Sequence, residues 1–260
     1  MWVANPCADS VTKLKASDGS VVGAYSVGSN PSGVVFDGSN IWVTNSSSNS
    51  VTKLKASDGS LVGTYGPAGT ILNFPKGIAF DGKNIWVANG NPGIYLVTKL
   101  RASDGAHISV YEVGSSPHAI AFDGANVWVT NSAGNTVTKL RASDGAVMGF
   151  YPVGQHPLGI AFDGANMWVV SSSDDTVTKL RASDGSVVGT YSVGHTPTNI
   201  AFDGTNMWVL SVAGNTVTKL KASDGSFVGA YTTGGVTSGV AFDGVNIWVT
   251  NNDNSTVTKF

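Results

Sequence analysis

A tryptophan returns at positions 2, 42, 86, 128, 168, 208 and 248. A Val-Thr-Lys tripeptide returns with it, starting at 11, 51, 97, 137, 177, 217 and 257. Seven copies of two motifs leave few architectures open. The spacing of 40 to 44 residues is too short for an independent domain and long enough for one four-stranded sheet. Residues 117–152, PHAIAFDGANVWVTNSAGNTVTKLRASDGAVMGFYP, read as four short β-runs. Strand A covers about 119–122, B about 127–130, C about 136–141 and D about 146–151. Asp-Gly-x-Asn separates A from B, and Ser-Asp-Gly separates C from D; both supply residues that tolerate positive φ in a tight turn. No 3.6-residue periodicity runs over a helix-length window. With 33 glycines and only 12% charged residues, the composition suits a turn-dense all-β chain.

These features predict an all-β fold, a β-propeller of about 40-residue four-stranded blades, with residues 1–260 forming a single domain. Small residues in strand A (GIAF, AIAF, GVAF) let neighbouring blades approach, and Phe122 and its counterparts fill the gap between sheets. The Asp residues of FDG and SDG read as turn formers. The lysines of VTKL read as lining a solvated outer strand.

Residues 1–28 supply strands B, C and D, five complete repeats follow, and residues 239–260 supply A, B and C. Seven blades are favoured on this count, the first and last with three strands each; six blades with a displaced pair is the alternative. Met1 stands where Met167 and Met207 stand, just before Trp. A start assigned at an internal Met, or a trimmed chain, accounts for the opening inside a repeat. A strand-D-plus-A segment copied from residues 227–247 and placed ahead of Met1 is expected to raise stability. Unpaired terminal blade edges offer a route to self-association.

The copies differ mainly in their D–A and B–C connections, which an up-and-down blade places on one face. Of 32 charged residues, 13 are the basic positions of TKL[KR] and 12 are the FDG and SDG aspartates. Only Lys76, Lys83, Asp9, Glu112, Asp174, Asp175 and Asp253 remain. The repeat containing Trp86 carries both insertions: 15 residues rather than 11 from Tyr65 to Phe80, and 11 rather than 9 from Trp86 to Val97. The position just before the strand A run holds Ser32, Lys76, His118, Leu158, Thr198 and Ser238. Lys76 and His118 are thus neighbours at the expected channel mouth, and Asn199 replaces a Gly or Ala one step inward. Lys76 offers a fixed charge, His118 a group that titrates near neutral pH, Asn199 an amide donor, and Phe74 or Tyr95 an apolar wall. The set points to a small polar or anionic ligand. Against it stands the plainer reading that these residues only decorate or pack long loops. Asp174-Asp175 reads as a solvated turn, since no calcium-loop pattern surrounds it.

Several functions are disfavoured. A net charge of −2 gives no long-range pull toward nucleic acid or acidic membranes. No apolar run spans a bilayer, and no signal-peptide layout stands at the N-terminus; a longer form of the chain is compatible with secretion or the cell surface. Cys7, alone, supports neither a disulfide framework nor a cysteine zinc site. No catalytic motif, metal-ligand spacing or cofactor fingerprint appears, so no catalytic residue, metal or cofactor is expected.

The pattern PxGIAFDGxNxWVTNxxxNTVTKLxxSDGxVVGTYxVG resembles the NHL/YVTN class of bacterial β-propellers along the whole chain. It is also similar to the repeats of virginiamycin B lyases. That second resemblance implies a catalytic His after Pro in a PHAI-like segment and a Glu-Pro-His in the next repeat. His118 matches the first. The next repeat reads His156-Pro157-Leu158, so the acid and the second imidazole are missing. A non-catalytic binding or scaffold propeller, engaging a small ligand or a protein partner on the D–A/B–C face, is therefore preferred. The alternatives are an enzyme at the channel mouth and a structural module of a larger surface or secreted protein. Near-identical copies also fit recent duplication or a designed sequence.

Overall fold

Runs of Val, Ile, Thr and Trp between Asp-Gly turns form strands because branched and aromatic side chains fit a pleated, packed surface. The computed structural model describes residues 1–66, 72–91 and 93–260, and among these it places 26 strands in seven antiparallel sheets. The fold is a seven-bladed β-propeller. Blade 1 has strands B (Trp2–Asn5), C (Ser10–Leu14) and D (Val21–Ser26). Blade 7 has A (Thr237–Phe242), B (Ile247–Asn251) and C (Thr256–Lys259). The five between them are four-stranded, so the six-bladed alternative does not hold. In blade 4 the strands are Pro117–Phe122, Asn126–Asn131, Thr136–Arg141 and Val147–Pro152, close to the expected bounds. The one helical turn among the described residues is a 3-10 turn at Pro6–Ala8.

The chain divides into two compact units, Met1–Val129 with Leu140–Met148, and Thr130–Lys139 with Gly149–Phe260. The same packing rules operate inside each. In the first, strand A of blade 3 (Pro75–Phe80) lies against strand A of blade 2 (Pro31–Phe36) on one side and that of blade 4 on the other. A Cβ built on Gly33 would stand 2.6 Å from the Lys76 carbonyl oxygen, and one on Gly77 2.5 Å from that of His118. In the second, Gly159 meets the Thr198 carbonyl at 2.8 Å in the same way. Only a residue without Cβ permits this backbone approach. The cores lie between blades: Trp86, Ala88 and Val97 of blade 3 pack with Ile120, Val127 and Leu140 of blade 4, and Phe122 covers the cluster.

The turn aspartates do more than turn. In six blades the FDG aspartate accepts two backbone N–H groups of its own turn on Oδ1 and the indole Nε1–H of the repeat's Trp on Oδ2. The indole bond is 2.7 Å from Trp42 to Asp37 and likewise from Trp128 to Asp123. The Asn of the turn also binds the carboxylate through Nδ2. Trp42, Trp86, Trp128 and Trp168 are fully buried, so the indole N–H needs a partner and the aspartate provides it. Burial pushes the Asp123 carboxyl up, but the Trp128 indole, the Ala125 and Asn126 amides and the Asn126 side chain outweigh it and hold the pKa below the ordinary range. Asp37, Asp81, Asp163 and Asp203 behave alike.

The VTKL lysines correct the sequence reading. They are not solvated: Lys53, Lys99 and Lys179 are 4% exposed and Lys139 5%. Strand C is the third of four, and its Lys stands opposite the Trp of strand B, as in Trp42↔Lys53 and Trp168↔Lys179. It therefore shares the buried face. The ammonium sits 4.6–4.9 Å from the Trp ring centre, a cation–π distance. It then reaches the next blade, donating to the carbonyls of that blade's C–D turn: Lys13 to Ala56, Lys53 to Ala102, Lys99 to Ala142, Lys139 to Ala182 and Lys179 to Ala222, at 2.7–2.8 Å.

A second link runs beside the first. The strand D tyrosine stacks on the same Trp, at 5.3 Å and 25° for Tyr65 on Trp42. Its ring also lies on the SDG glycine of the next blade: Tyr25 on Gly59, Tyr65 on Gly105, Tyr111 on Gly145, Tyr151 on Gly185 and Tyr191 on Gly225. Those glycines have φ of 75–78°, so conformation and close contact both demand Gly. Five successive joints, from blade 1–2 to blade 5–6, are thus a lysine and a tyrosine of one blade gripping a single turn of the next.

Three outcomes test this account. Asp123→Ala leaves a buried indole N–H unsatisfied and is expected to cost about 2–3 kcal/mol in urea unfolding, whereas Asp144→Ala, in an exposed turn, is expected to shift the urea midpoint much less. Because the FDG carboxylates have lowered folded pKa values, their contribution is complete above the unfolded carboxylate pKa. It drains away as pH falls through the folded values, and an acid-unfolding scan reads it. Lys179→Met strands two turn carbonyls and is expected to cost about 2 kcal/mol or more, while Lys55→Ala, at an exposed position, changes the urea midpoint little.

Candidate functional site

The D–A and B–C connections that vary between copies are built on a common frame. In several blades the last residue of the D–A connection has a left-handed backbone: Asn30, Phe74, Ser116, His156 and Thr196, with φ of 51–56°. An Asx side chain of the B–C connection accepts its N–H: Asp9 for Asn30, Asn49 for Phe74, Asn135 for His156 and Asp175 for Thr196, at 2.7–2.9 Å. Asn and Ser tolerate this region; a bulky Phe does so at a cost of roughly 1–2 kcal/mol. Phe74 and the β-branched Thr196 are the strained members of the set, and Phe74 is 39% exposed.

Lys76 follows two residues later, in strand A of blade 3. Its backbone is clamped by hydroxyls of blade 2: Thr44 Oγ1 donates to the Lys76 carbonyl at 2.7 Å, and Ser46 Oγ to that of Pro75 at 2.8 Å. The side chain lies across Gly90, where a Cβ would stand 2.6–2.8 Å from Cγ, Cδ and Cε of the lysine. Gly90 N–H also donates to the Phe74 carbonyl at 3.0 Å. The ammonium lies 5.9 Å from the centre of the Phe74 ring. Burial lowers the Lys76 pKa, with no opposing carboxylate contribution. Among the described residues no ion pair includes it. Since the folded pKa is depressed, the charge penalises the fold at pH values below it, and the penalty fades as pH rises toward the unfolded lysine value.

Phe74, Lys76 and Gly90 thus form one cluster. His118 lies on the adjoining strand A, half-buried, with its backbone carbonyl against Gly77. Tyr95 stands in the B–C insertion of blade 3, 44% exposed, and its carbonyl accepts Val113 N–H at 2.8 Å. Asn91 Nδ2 donates to Asn73 Oδ1 at 2.6 Å, joining the two connections of this blade. Residues 67–71 of the D–A insertion and Pro92 of the B–C insertion lie outside the described residues.

Asn199 belongs to the second compact unit and is described there alone. Its Nδ2 donates to the Ser238 carbonyl at 2.8 Å, tying strand A of blade 6 (Pro197–Phe202) to that of blade 7. His195 and Asp175 form a pair missed in the sequence, Nδ1 to Oδ2 at 2.7 Å, on an exposed connection. The Thr196 amide, then His195, lower the Asp175 pKa. An open depression of ≈ 300 Å³ lies nearby, lined by Pro152, Gly154, Asp174, Thr176 and Val187 among others. Among the described residues no three His, Cys, Asp or Glu side chains gather in a metal-binding group.

Gly90 was also missed. Its counterparts in the WVxN-x motif are Ser46, Ser132, Ser172, Val212 and Asn252. The signal was a paired departure: the repeat that gains a lysine in strand A loses a side chain where that lysine must lie.

No protein-family model matches the sequence, and no curated protein matches it. Solved structures do. Hydrazine synthase of Kuenenia stuttgartiensis is similar at TM-score 0.85 and 17% identity, over 100% of this chain and 91% of that one. A functionally unknown protein from Desulfotomaculum acetoxidans DSM 771 is similar at TM-score 0.86 and 15% identity, over 100% and 91%. A streptogramin B lyase is similar at TM-score 0.84 and 20% identity, over 99% and 88%. At such identities the likeness is one of fold.

Proposed function

We propose that this chain is a non-catalytic binding propeller of the NHL/YVTN type, and that it takes a small anionic ligand on the D–A/B–C face of blade 3. The observation that carries the reading is Lys76. Its ammonium is drawn partly out of water, its backbone is fixed by Thr44 and Ser46, and no carboxylate answers it among the described residues. Burying charge without a partner costs stability, and a bound anion returns that cost. Phe74 supports the same reading, since strain at an exposed aromatic is the kind of expense that function retains. His118 on the next strand adds a group that donates or accepts near neutral pH.

The fold likeness to a lyase and the His118 of PHAI speak for an enzyme. His156-Pro157-Leu158, where Glu and a second His belong, speaks against it. Leu158, Thr198 and Ser238 at the positions equivalent to Lys76 provide no further proton-transfer group.

Thermal unfolding with inorganic phosphate, acetate and succinate tests the proposal. At least one anion is expected to raise the melting temperature of the wild type, by the equivalent of about 2.7 kcal/mol at a hundredfold excess over Kd. Lys76→Met is expected to melt at or above the wild-type temperature and to lose the anion response. A lower melting temperature for Lys76→Met with the response intact, or no response to any anion in the wild type, overturns the reading.

A further inference from the structure

Strand B ends on a residue whose side chain serves the start of strand C. In blade 4 it is Asn131, and its Nδ2 donates to Thr136 Oγ1 at 3.0 Å and Thr138 Oγ1 at 2.8 Å. Asn45 does the same for Ser50 and Thr52 in blade 2, and blades 1 and 7 repeat the arrangement. Blades 5 and 6 depart from it. There the position holds Ser171 and Ser211, while the hydroxyls of strand C remain as Thr176 and Thr178 and as Thr216 and Thr218. A serine is too short to span to strand C as the asparagine does. Ser171 is 0% exposed, and among the described residues its Oγ has no hydrogen-bond partner. A hydroxyl buried in this way costs free energy until something bonds to it.

Blade 5 changes at a second position as well. Asp174 stands where blades 4 and 6 have Gly134 and Gly214. Its Oδ2 accepts the Gln155 N–H at 2.6 Å. The two departures meet at the open depression of ≈ 300 Å³. Thr176 and Thr178 line it, as do Gly154 and Asp174, with Val153 and Val187 as apolar walls. Gly154 lies directly on the buried serine: a Cβ there would stand 2.7 Å from Ser171 Oγ and 2.5 Å from Asp174 Oδ2. All these residues belong to the second compact unit. The depression thus brings together the pair of hydroxyls that binds a carboxamide in blade 4 and a carboxylate that blade 4 lacks.

We propose that this depression in blade 5 is a binding site for a small, positively charged primary carboxamide, whose NH2 group donates to Thr176 and Thr178 as the Asn131 side chain donates to Thr136 and Thr138. The sister blade defines the group that fits: a planar amide whose two N–H donors match two hydroxyls one pleat apart on the same face of strand C. Asp174 defines the charge. It is the one charged residue of the lining, so it attracts a cation and repels a carboxylate, and a carboxylate retains acceptor capacity beyond a single N–H. Val153 and Val187 cover the carbon skeleton between the two polar ends. This site takes a ligand of opposite charge to the one proposed at Lys76 and shares no residue with it.

The probes are glycinamide and β-alaninamide, titrated into the isotope-labelled full chain and followed by amide NMR at about pH 6.5, where an α-amine is charged. At least one of them is expected to give saturable shifts at Gly154, Thr176 and Thr178. Acetamide, without the charge, is expected to bind roughly fivefold more weakly, and glycine methyl ester, without the NH2, roughly tenfold more weakly. Thr178→Val keeps the volume, loses one hydroxyl and is expected to weaken the amide about fivefold. Asp174→Asn still accepts the Gln155 N–H and is expected to remove the advantage over acetamide. Ser171→Asn supplies the carboxamide from within: it is expected to abolish the shifts and to raise the melting temperature by roughly 2–4 °C. No saturable shifts at these residues from either amide, an ester that binds as tightly as the amide, or shifts that persist in Ser171→Asn overturns the proposal. So does a lower melting temperature for Ser171→Asn, because the carboxamide then does not fit the place assigned to it.

Discussion

The structure depends on how a buried indole is satisfied. A tryptophan is the side chain large enough to fill the space between two sheets, but it brings an N–H that burial makes costly. The aspartate five residues earlier solves this and, with its other oxygen, closes the turn that starts the strand. Once the ring is fixed, its face is a platform. Lysine from strand C sits over it and tyrosine from strand D stacks on it, and both extend to the same turn of the following blade. One carboxylate therefore governs a turn, a core residue and, through that residue, a joint.

This chain of dependence explains why so little of the sequence varies. Asp, Asn, Trp, Lys and Tyr are each tied to the others by geometry, and the SDG glycine is tied to them by lack of space. Freedom is left to the connections that touch none of these groups, and there the blades differ. Lys76, Phe74 and the Gly90 that accommodates the lysine all fall in those connections or at their edges.

Strands, turns and blade number were legible in the residues because each rests on local chemistry: Asp-Gly turns, branched runs and the recurrence of Trp and Val-Thr-Lys. What a side chain does across the gap between blades was not. The lysines of VTKL read as surface groups because a lysine two residues from a buried Val usually is one; only the register Trp42↔Lys53 and the nearby Ala102 carbonyl make burial affordable. The FDG aspartates read as turn formers, which they are, but the indole bond needs the strand B pleat to bring Trp back over the turn. Within the site, Lys76 and Phe74 stood out by departing from the repeat. Gly90 did not, because an absent side chain has meaning only once the neighbouring lysine is placed on it. The Asn199 amide shows the reverse: a departure visible in sequence that in the fold bridges two A strands.

The uniform joint has a bearing on how the chain reaches its native arrangement. The gripping residues, Lys and Tyr, and the gripped turn, Ala-Ser-Asp-Gly, are the same at the five interfaces from blade 1–2 to blade 5–6, so these contacts carry no address. Nothing in them distinguishes the correct neighbour from a blade further along the sequence. Pairing order must come from covalent succession: the D–A connection is short, and the next blade is the first to arrive. Repeat proteins with interchangeable interfaces are prone to misassembly when that kinetic advantage is lost. Synthesis from one end, with each blade capturing the turn of the one just made, is the route on which an unaddressed joint still yields a single order.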